Sequence, residues 1–144
     1  MDQRAIDFAQ RLDGKFIGIM GWDQLDALWD RINHSGKAWY LYQVGSELPE
    51  LPLKGDGLKH ALQELDQLLR QEHDYDYCGI VYADDPDHPT LVKVYDPNNL
   101  GSSCGSCGYR IPPRWIISLQ KPEKIEDEAP TPNNRKRWWA RLFG

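Results

Sequence analysis

Two cysteines that lie three positions apart are the residues of this chain best suited to chemistry. Cys104 and Cys107 enclose one glycine and one serine, and Gly108 follows directly. This gap allows both sulfur atoms to face one metal ion, and a glycine after the second cysteine can adopt the positive φ that turns backbone amides toward the thiolates. Cys104 and Cys107 are therefore candidate ligands of a zinc or iron ion, and Cys78 is a further candidate.

The segment from Cys104 to Tyr109 is similar, over these six residues, to the knuckle of rubredoxin-like and zinc-ribbon sites. A structural zinc needs four protein ligands, and the chain has no second pair of cysteines at this spacing. Cys78 and one histidine would therefore have to complete the ligand set. The candidate histidines are His34, His60, His73 and His88.

Two other interpretations of the cysteines stay open. Cys78 begins a strand-like segment, in which it would be a small buried apolar residue, the commoner role of a free cysteine. A thiol redox pair needs a helix that starts at the first cysteine and lowers its pKa, and Gly108, Pro112 and Pro113 disfavour such a helix. We favour a loop without a cofactor, with metal binding as the first alternative and thiol redox chemistry as the second.

The carboxyl-terminal segment combines cations with large apolar side chains. Trp138 and Leu142, like Trp139 and Phe143, are spaced i,i+4, so a helix would present four apolar groups beside basic residues. Large apolar side chains on an exposed, flexible tail are unfavourably hydrated. We therefore predict a docking peptide, whose binding residues are Arg135, Lys136, Arg137, Trp138, Trp139, Arg141, Leu142 and Phe143.

Three kinds of surface could bury the apolar side chains of this peptide. A groove on a partner protein is the one that we favour. The acidic domain of the same chain comes second, since the sequence does not reveal a matching apolar patch. An anionic membrane surface comes third, because ten residues are short for stable peripheral binding. The function that we predict is that of a small accessory or adaptor domain, which binds a partner protein through its tail.

The charge distribution disfavours nucleic acid as a partner. The chain of 144 residues has a net charge of −5, but four of its 17 basic residues lie in the last ten positions, where there is no acid. Residues 1–134 therefore carry 13 basic against 22 acidic side chains, a net charge of −9. A body this acidic repels phosphate groups over most of its surface.

No set of residues forms a complete catalytic constellation, so we do not predict an enzyme. The turn from Asp84 to His88 holds three carboxylates, but it lacks the ligand spacing of a calcium loop and is typical of a solvated hairpin tip. His73 precedes Asp74, but adjacent residues seldom face one another, and we interpret His73 as the end of a helix.

The first residues lack the basic-then-apolar pattern of a secretory signal, and no apolar run reaches 18 residues. An odd number of cysteines, three, does not indicate the disulfide framework of a secreted protein. We therefore expect a cytoplasmic protein.

Hydrophobic periodicity predicts both helices and strands. Helices are expected over residues 2–13, from Asp23 to about Asn33 and from Asp56 to about His73, with Asp23 and Asp56 as N-caps. Strands are expected over residues 15–20, 38–44, 77–83, 90–95 and 115–119.

This order of elements indicates an α+β fold. Early interspersed helices and a late strand meander predict a mostly antiparallel sheet of about four or five strands, with two or three helices packed on one face and a flexible C-terminal tail. Residues 1–121 would form the single globular domain. Residues 122–134 would be an acidic, proline-rich flexible linker, and residues 135–144 the basic aromatic docking peptide.

Overall fold

The computed structural model describes residues 8–97, 112–125 and 132–143, and within these ranges the chain forms four helices and five strands. The helices are α1 (Phe8–Leu12), α2 (Trp22–Asn33), α3 (Gly55–Glu72) and α4 (Asn133–Phe143). The strands are β1 (Ile17–Ile19), β2 (Tyr40–Gln43), β3 (Val81–Ala83), β4 (Leu91–Val94) and β5 (Trp115–Ser118).

The five strands form one antiparallel sheet in the order β1-β3-β4-β5-β2. A meander of β3, β4 and β5 occupies the centre, where Val81 lies opposite Val94 and Val92 lies opposite Ile117. The early strands β1 and β2 form the two edges. The predicted α+β class with an antiparallel sheet is therefore confirmed.

The two faces of the sheet carry separate apolar clusters, as alternation along a strand requires. In β5, Trp115 and Ile117 belong to the larger cluster, which also holds the apolar faces of α2 and α3. Ile116, between them, belongs to the smaller cluster with Phe8 of α1. Side chains of α4 pack against the larger cluster. Three helices thus share one face, and the short α1 lies on the other.

The N-caps of α2 and α3 each lie two residues before the predicted ones. Gly21 is the N-cap of α2, and the side chain of Gln24 accepts its backbone N–H at 2.9 Å. Asp23 lies in the first turn instead, where its charge still complements the helix dipole. Asp56 likewise lies in the first turn of α3, after Lys54 at the N-cap. In the described ranges, no helix combines the length and apolarity that crossing a bilayer requires.

The predicted hairpin tip after β3 is confirmed, and its acids have structural roles. The Asp84 carboxylate accepts the backbone N–H groups of Thr90 at 2.9 Å and Leu91 at 3.1 Å. Asp85 accepts the backbone N–H of Asp87 at 3.0 Å. These contacts close the turn between β3 and β4. The first six residues of the helix predicted over 2–13 lie outside the described residues.

Candidate functional site

The predicted docking peptide forms helix α4, whose apolar side lies on the domain's own sheet. Trp138, Trp139 and Leu142 pack against the larger apolar cluster. Together with them, a groove between α3 and the sheet is lined by Leu41, Tyr42, Ala61, Leu65, Trp115, Ile116 and Ile117. The structure thus supplies the apolar patch that the sequence does not reveal, and the tail is folded back on its own chain.

Ring contacts position α4 in this groove. Trp138 meets Trp115 of β5 edge to face, with 5.8 Å between the ring centroids. Trp139 lies 6.0 Å from Trp138 and 4.4 Å from Phe143. The predicted i,i+4 pair of Trp139 and Phe143 is therefore present as an aromatic contact. Trp138 and Leu142, the other predicted pair, both face the core.

Arg135 anchors the first turn of α4 through two carboxylates. The guanidinium, 1% exposed, donates to both oxygens of Asp96 at 3.0 and 2.8 Å and to both oxygens of Glu72 at 2.7 and 2.9 Å. Burial by itself lowers the pKa of Arg135, but the hydrogen bonds to Asp96 and Glu72 outweigh it and raise the pKa above its ordinary value. Arg135 therefore carries a permanent charge inside the fold.

The buried carboxylate of Asp96 serves two arginines. Arg114, which is itself buried, lies 3.4 Å from Asp96 through its Nε. Its Nη1 also donates to the backbone carbonyl of Val44 at 2.9 Å. The two arginines together compensate the charge of Asp96 inside the fold.

Gln43 at the end of β2 connects the same region by neutral hydrogen bonds. Its carbonyl oxygen accepts the indole N–H of Trp115 at 2.9 Å, and its amide donates to the backbone carbonyl of Arg135 at 3.4 Å. The side chain of Arg135 also lies over the Trp115 ring, 5.6 Å from the centroid. One buried network therefore joins β2, β5 and α4.

The opposite side of α4 is cationic and exposed. Lys136, Arg137, Ala140 and Arg141 form this outer face of α4, and each is exposed. Phe143 beside it is 44% exposed. Among the described residues, none of the three cations forms a salt bridge. Helix α4 thus separates an inner apolar side, occupied by its own domain, from an outer basic side.

The groove beneath α4 is filled rather than open. The cavity that remains between the helix and the sheet measures only about 10 Å³, which is space for roughly one water molecule. A small-molecule substrate would not fit there while α4 is docked.

One of the three cysteines, Cys78, lies among the described residues. Cys104 and Cys107 lie outside the described residues. Cys78 is fully buried in the larger apolar cluster, and burial raises the pKa of its thiol above the ordinary value. Within residues 8–97, 112–125 and 132–143, no three histidine, cysteine or acidic side chains form a group that could hold a metal ion.

His73 ends α3, as predicted, and has a structural partner. It is buried, and its Nε2 donates to the backbone carbonyl of Cys78 at 2.7 Å, which assigns the proton to that nitrogen because a carbonyl only accepts. The ring also lies 4.7 Å from that of Tyr75. His73 therefore holds the loop between α3 and β3 in place.

Sequence reasoning missed the polar groups that receive α4. Asp96 is followed by Pro97 and Asn98, a composition that favours a turn and gives no sign of a buried ion pair. Asp96 and Arg135 are 39 positions apart, and Glu72 and Arg135 are 63 apart. No local spacing connects such residues. Arg135 is one of four cations in the tail, and nothing in the sequence distinguishes it from the other three.

Comparison with protein-family models, with curated proteins and with solved structures finds no match to this chain.

Proposed function

We propose that this chain is a small accessory domain that binds an acidic partner protein through the outer face of α4. One observation carries the proposal. Five of the seven described arginines are held by carboxylates of their own chain: Arg11, Arg31, Arg70, Arg114 and Arg135. The other two, Arg137 and Arg141, lie four positions apart on the outer face and form no such pair within the described residues.

The docked state of α4 supports binding at this face. A free peptide loses conformational entropy when a partner orders it, whereas a helix already fixed to its domain loses less. Trp138 and Arg135 fix α4 from its inner side by the ring contact and the ion pairs described above. The outer cations are thereby presented at defined positions, a turn apart.

The chemistry of the outer face defines the partner. Guanidinium groups bind carboxylates through two parallel hydrogen bonds, which gives orientation as well as attraction. The cations also stand out against the acidic remainder of the chain, so their field steers an acidic surface toward α4. Phe143, partly exposed at the end of the helix, adds an apolar contact. We therefore expect a protein surface with acidic and aromatic side chains.

The test is a charge reversal that leaves the docked helix intact. We expect the double variant Arg137→Glu, Arg141→Glu to recover much less of the partner in a pull-down from native extract than the unaltered chain does. Lys37→Glu, Lys59→Glu is the matched control, because it makes the same charge change at exposed residues elsewhere. Circular dichroism and thermal melting must show that both variants are folded.

Removal of residues 135–144 would be a poorer test, because it also uncovers the groove beneath α4. Equal recovery by the two double variants would contradict the proposal. Anionic lipid vesicles test the membrane alternative. Binding of the unaltered chain to these vesicles, without any protein partner, would assign the outer face to lipid instead.

A further inference from the structure

A second exposed surface lies at the far edge of the sheet, beside β1. We define the acidic aromatic patch as Met20, Asp74, Tyr75, Asp76 and Tyr77, all exposed. Tyr75 and Tyr77 are 59% and 51% exposed, and their ring centroids are 5.6 Å apart. The patch is continuous, because the backbone N–H of Cys78, next to Tyr77, donates to the carbonyl of Met20 at 2.7 Å.

The patch is supported from below. The indole N–H of Trp22 donates to the backbone carbonyl of Tyr75 at 2.9 Å. The buried ring of His73 contacts the rings of both Tyr75 and Tyr77, at 4.7 and 6.1 Å between centroids. The two tyrosines are thus held at fixed positions while about half of each stays accessible. Such preformed aromatic surfaces are typical of binding sites.

The patch is suited to cationic side chains. Guanidinium groups stack on the faces of tyrosine rings, and nearby carboxylates add charge complementarity. Asp74 and Asp76 flank the rings, and neither forms a salt bridge with another described residue. The patch therefore presents carboxylates and aromatic rings that a cationic aromatic surface would match.

We propose that the acidic aromatic patch binds the outer face of α4 of a second copy of this chain. Arg137 and Arg141 would pair with Asp74 and Asp76, while Phe143 would contact the exposed tyrosine rings. This inference rests on the proposed function, because it uses the same face of α4 and names the acidic partner. Each copy carries both surfaces, so copies of the chain can associate with one another without a different partner.

The experiment is sedimentation of the full chain over a series of protein concentrations. We expect the average mass to rise with concentration and to fall when salt is added, since salt screens exposed charges. The patch variant Asp74→Lys, Asp76→Lys and the helix variant Arg137→Glu, Arg141→Glu should each associate at least about tenfold more weakly. Glu47→Lys, Glu50→Lys, a matched reversal of exposed acids, should behave like the unaltered chain.

Mixing the two reversed variants gives the decisive result. The lysines of the patch variant should bind the glutamates of the helix variant, so an equimolar mixture should associate more strongly than either variant does alone. A chain that stays monomeric at every concentration, or a mixture that does not associate, would overturn the proposal. A chain that does not self-associate could still bind a different protein. If the helix variant then recovers less of that protein in the pull-down than the unaltered chain does, the proposed function stands and only the second copy is excluded as the partner.

Discussion

At the scale of single residues, Arg135 has the most consequential environment in the chain. It is buried, it binds two carboxylates, and both lie on parts of the domain that precede it by dozens of positions. A lysine could not replace it, because a point charge cannot bind two carboxylates with paired, planar hydrogen bonds. The orientation of α4 therefore depends on the shape of this side chain as well as on its charge.

Arg135→Gln should destabilise the protein strongly. Removal of one partner of a buried ion pair costs about 3–5 kcal/mol. Here Arg114 remains 3.4 Å from Asp96 and Glu72 is partly exposed, so we expect the lower end, about 3 kcal/mol. Urea unfolding measures the change.

Arg137→Gln, on the outer face of the same helix, is the control. It should change the free energy of unfolding by less than about 0.5 kcal/mol. A similar loss in both variants would contradict the role of Arg135.

Cys78 should be unreactive in the folded protein. The side chain is fully buried, and burial raises its pKa, so neither access nor thiolate formation favours alkylation. Treatment with iodoacetamide followed by peptide mass spectrometry should find Cys78 unmodified in native protein and modified in denaturant. Comparable modification in both conditions would show that the thiol is accessible.

The raised pKa of Cys78 also predicts a change in stability at alkaline pH. The thiol of an unfolded cysteine has a pKa of about 8.5. Above that pH the folded thiol keeps its proton while the unfolded one loses it, so the free energy of unfolding falls as pH rises, by at most about 1.4 kcal/mol per pH unit. Below it the thiol contributes no pH dependence. Urea unfolding of Cys78→Ala should lack this part of the decline, and parallel curves would disprove it.

Residue environments of this kind could be predicted only where the signal is local. The interpretation of His73 as a helix end followed from the composition around it and is confirmed. The partners of Arg135 could not be predicted, because ion pairs across 39 and 63 positions depend on how the strands are ordered in the sheet.

At the scale of elements, the local sequence pattern predicted helices and strands well where the burial of an element depends on its own sequence. The strand segments are dense in apolar side chains, and the predicted strands 77–83 and 90–95 leave a link of only six residues, which allowed only a hairpin. Both helix caps were predicted wrongly because an acidic residue was preferred. In α2 the cap is Gly21, whose backbone N–H is accepted by the side chain of Gln24, and in α3 it is Lys54. What α4 packs against could not be predicted, since the groove is assembled from α3, β2 and β5.

Trp138→Ala should loosen α4 without unfolding the sheet. A fully buried tryptophan costs about 3–5 kcal/mol when truncated to alanine, and Trp138 is only partly buried, so we expect about 2 kcal/mol. Hydrogen exchange should be at least about tenfold faster for α4 amides than in the unaltered chain. Amides of β4 and β5 should change less.

Arg141→Ala is the control for this measurement, because it changes the same helix on its outer face. It should leave the exchange rates of α4 amides close to those of the unaltered chain. If both variants accelerated exchange equally, the contact between Trp138 and Trp115 would not be what holds the helix.

At the scale of the whole molecule, the chain is better described as one body than as a domain with a separate tail. The sequence predicts the division at residue 121 because residues 122–134 hold few apolar side chains. Apolar side chains beyond this division are nevertheless used: Ile125 packs against the smaller apolar cluster, and Trp138, Trp139 and Leu142 pack against the larger one. Composition indicates how many apolar groups a segment has, but not whether a receptive surface exists.

A chain that ends at residue 131 should therefore be less stable and more apolar on its surface than the full chain. Loss of α4 uncovers Leu41, Trp115 and Ile117, which are buried in the complete protein. We expect a lower urea midpoint and increased fluorescence of a bound hydrophobic dye. An unchanged midpoint would mean that the carboxyl-terminal helix contributes nothing to the fold.

Six residues, 126–131, connect Ile125 on one face of the sheet to Pro132, just before α4, on the other. The seven residue-to-residue steps from Ile125 to Pro132 reach at most about 25 Å. A detached α4 would therefore stay at a local concentration of roughly millimolar order around its own groove. A foreign helix would have to exceed that local concentration to occupy the groove, so the groove discriminates against weak competitors simply because its native ligand is tethered nearby.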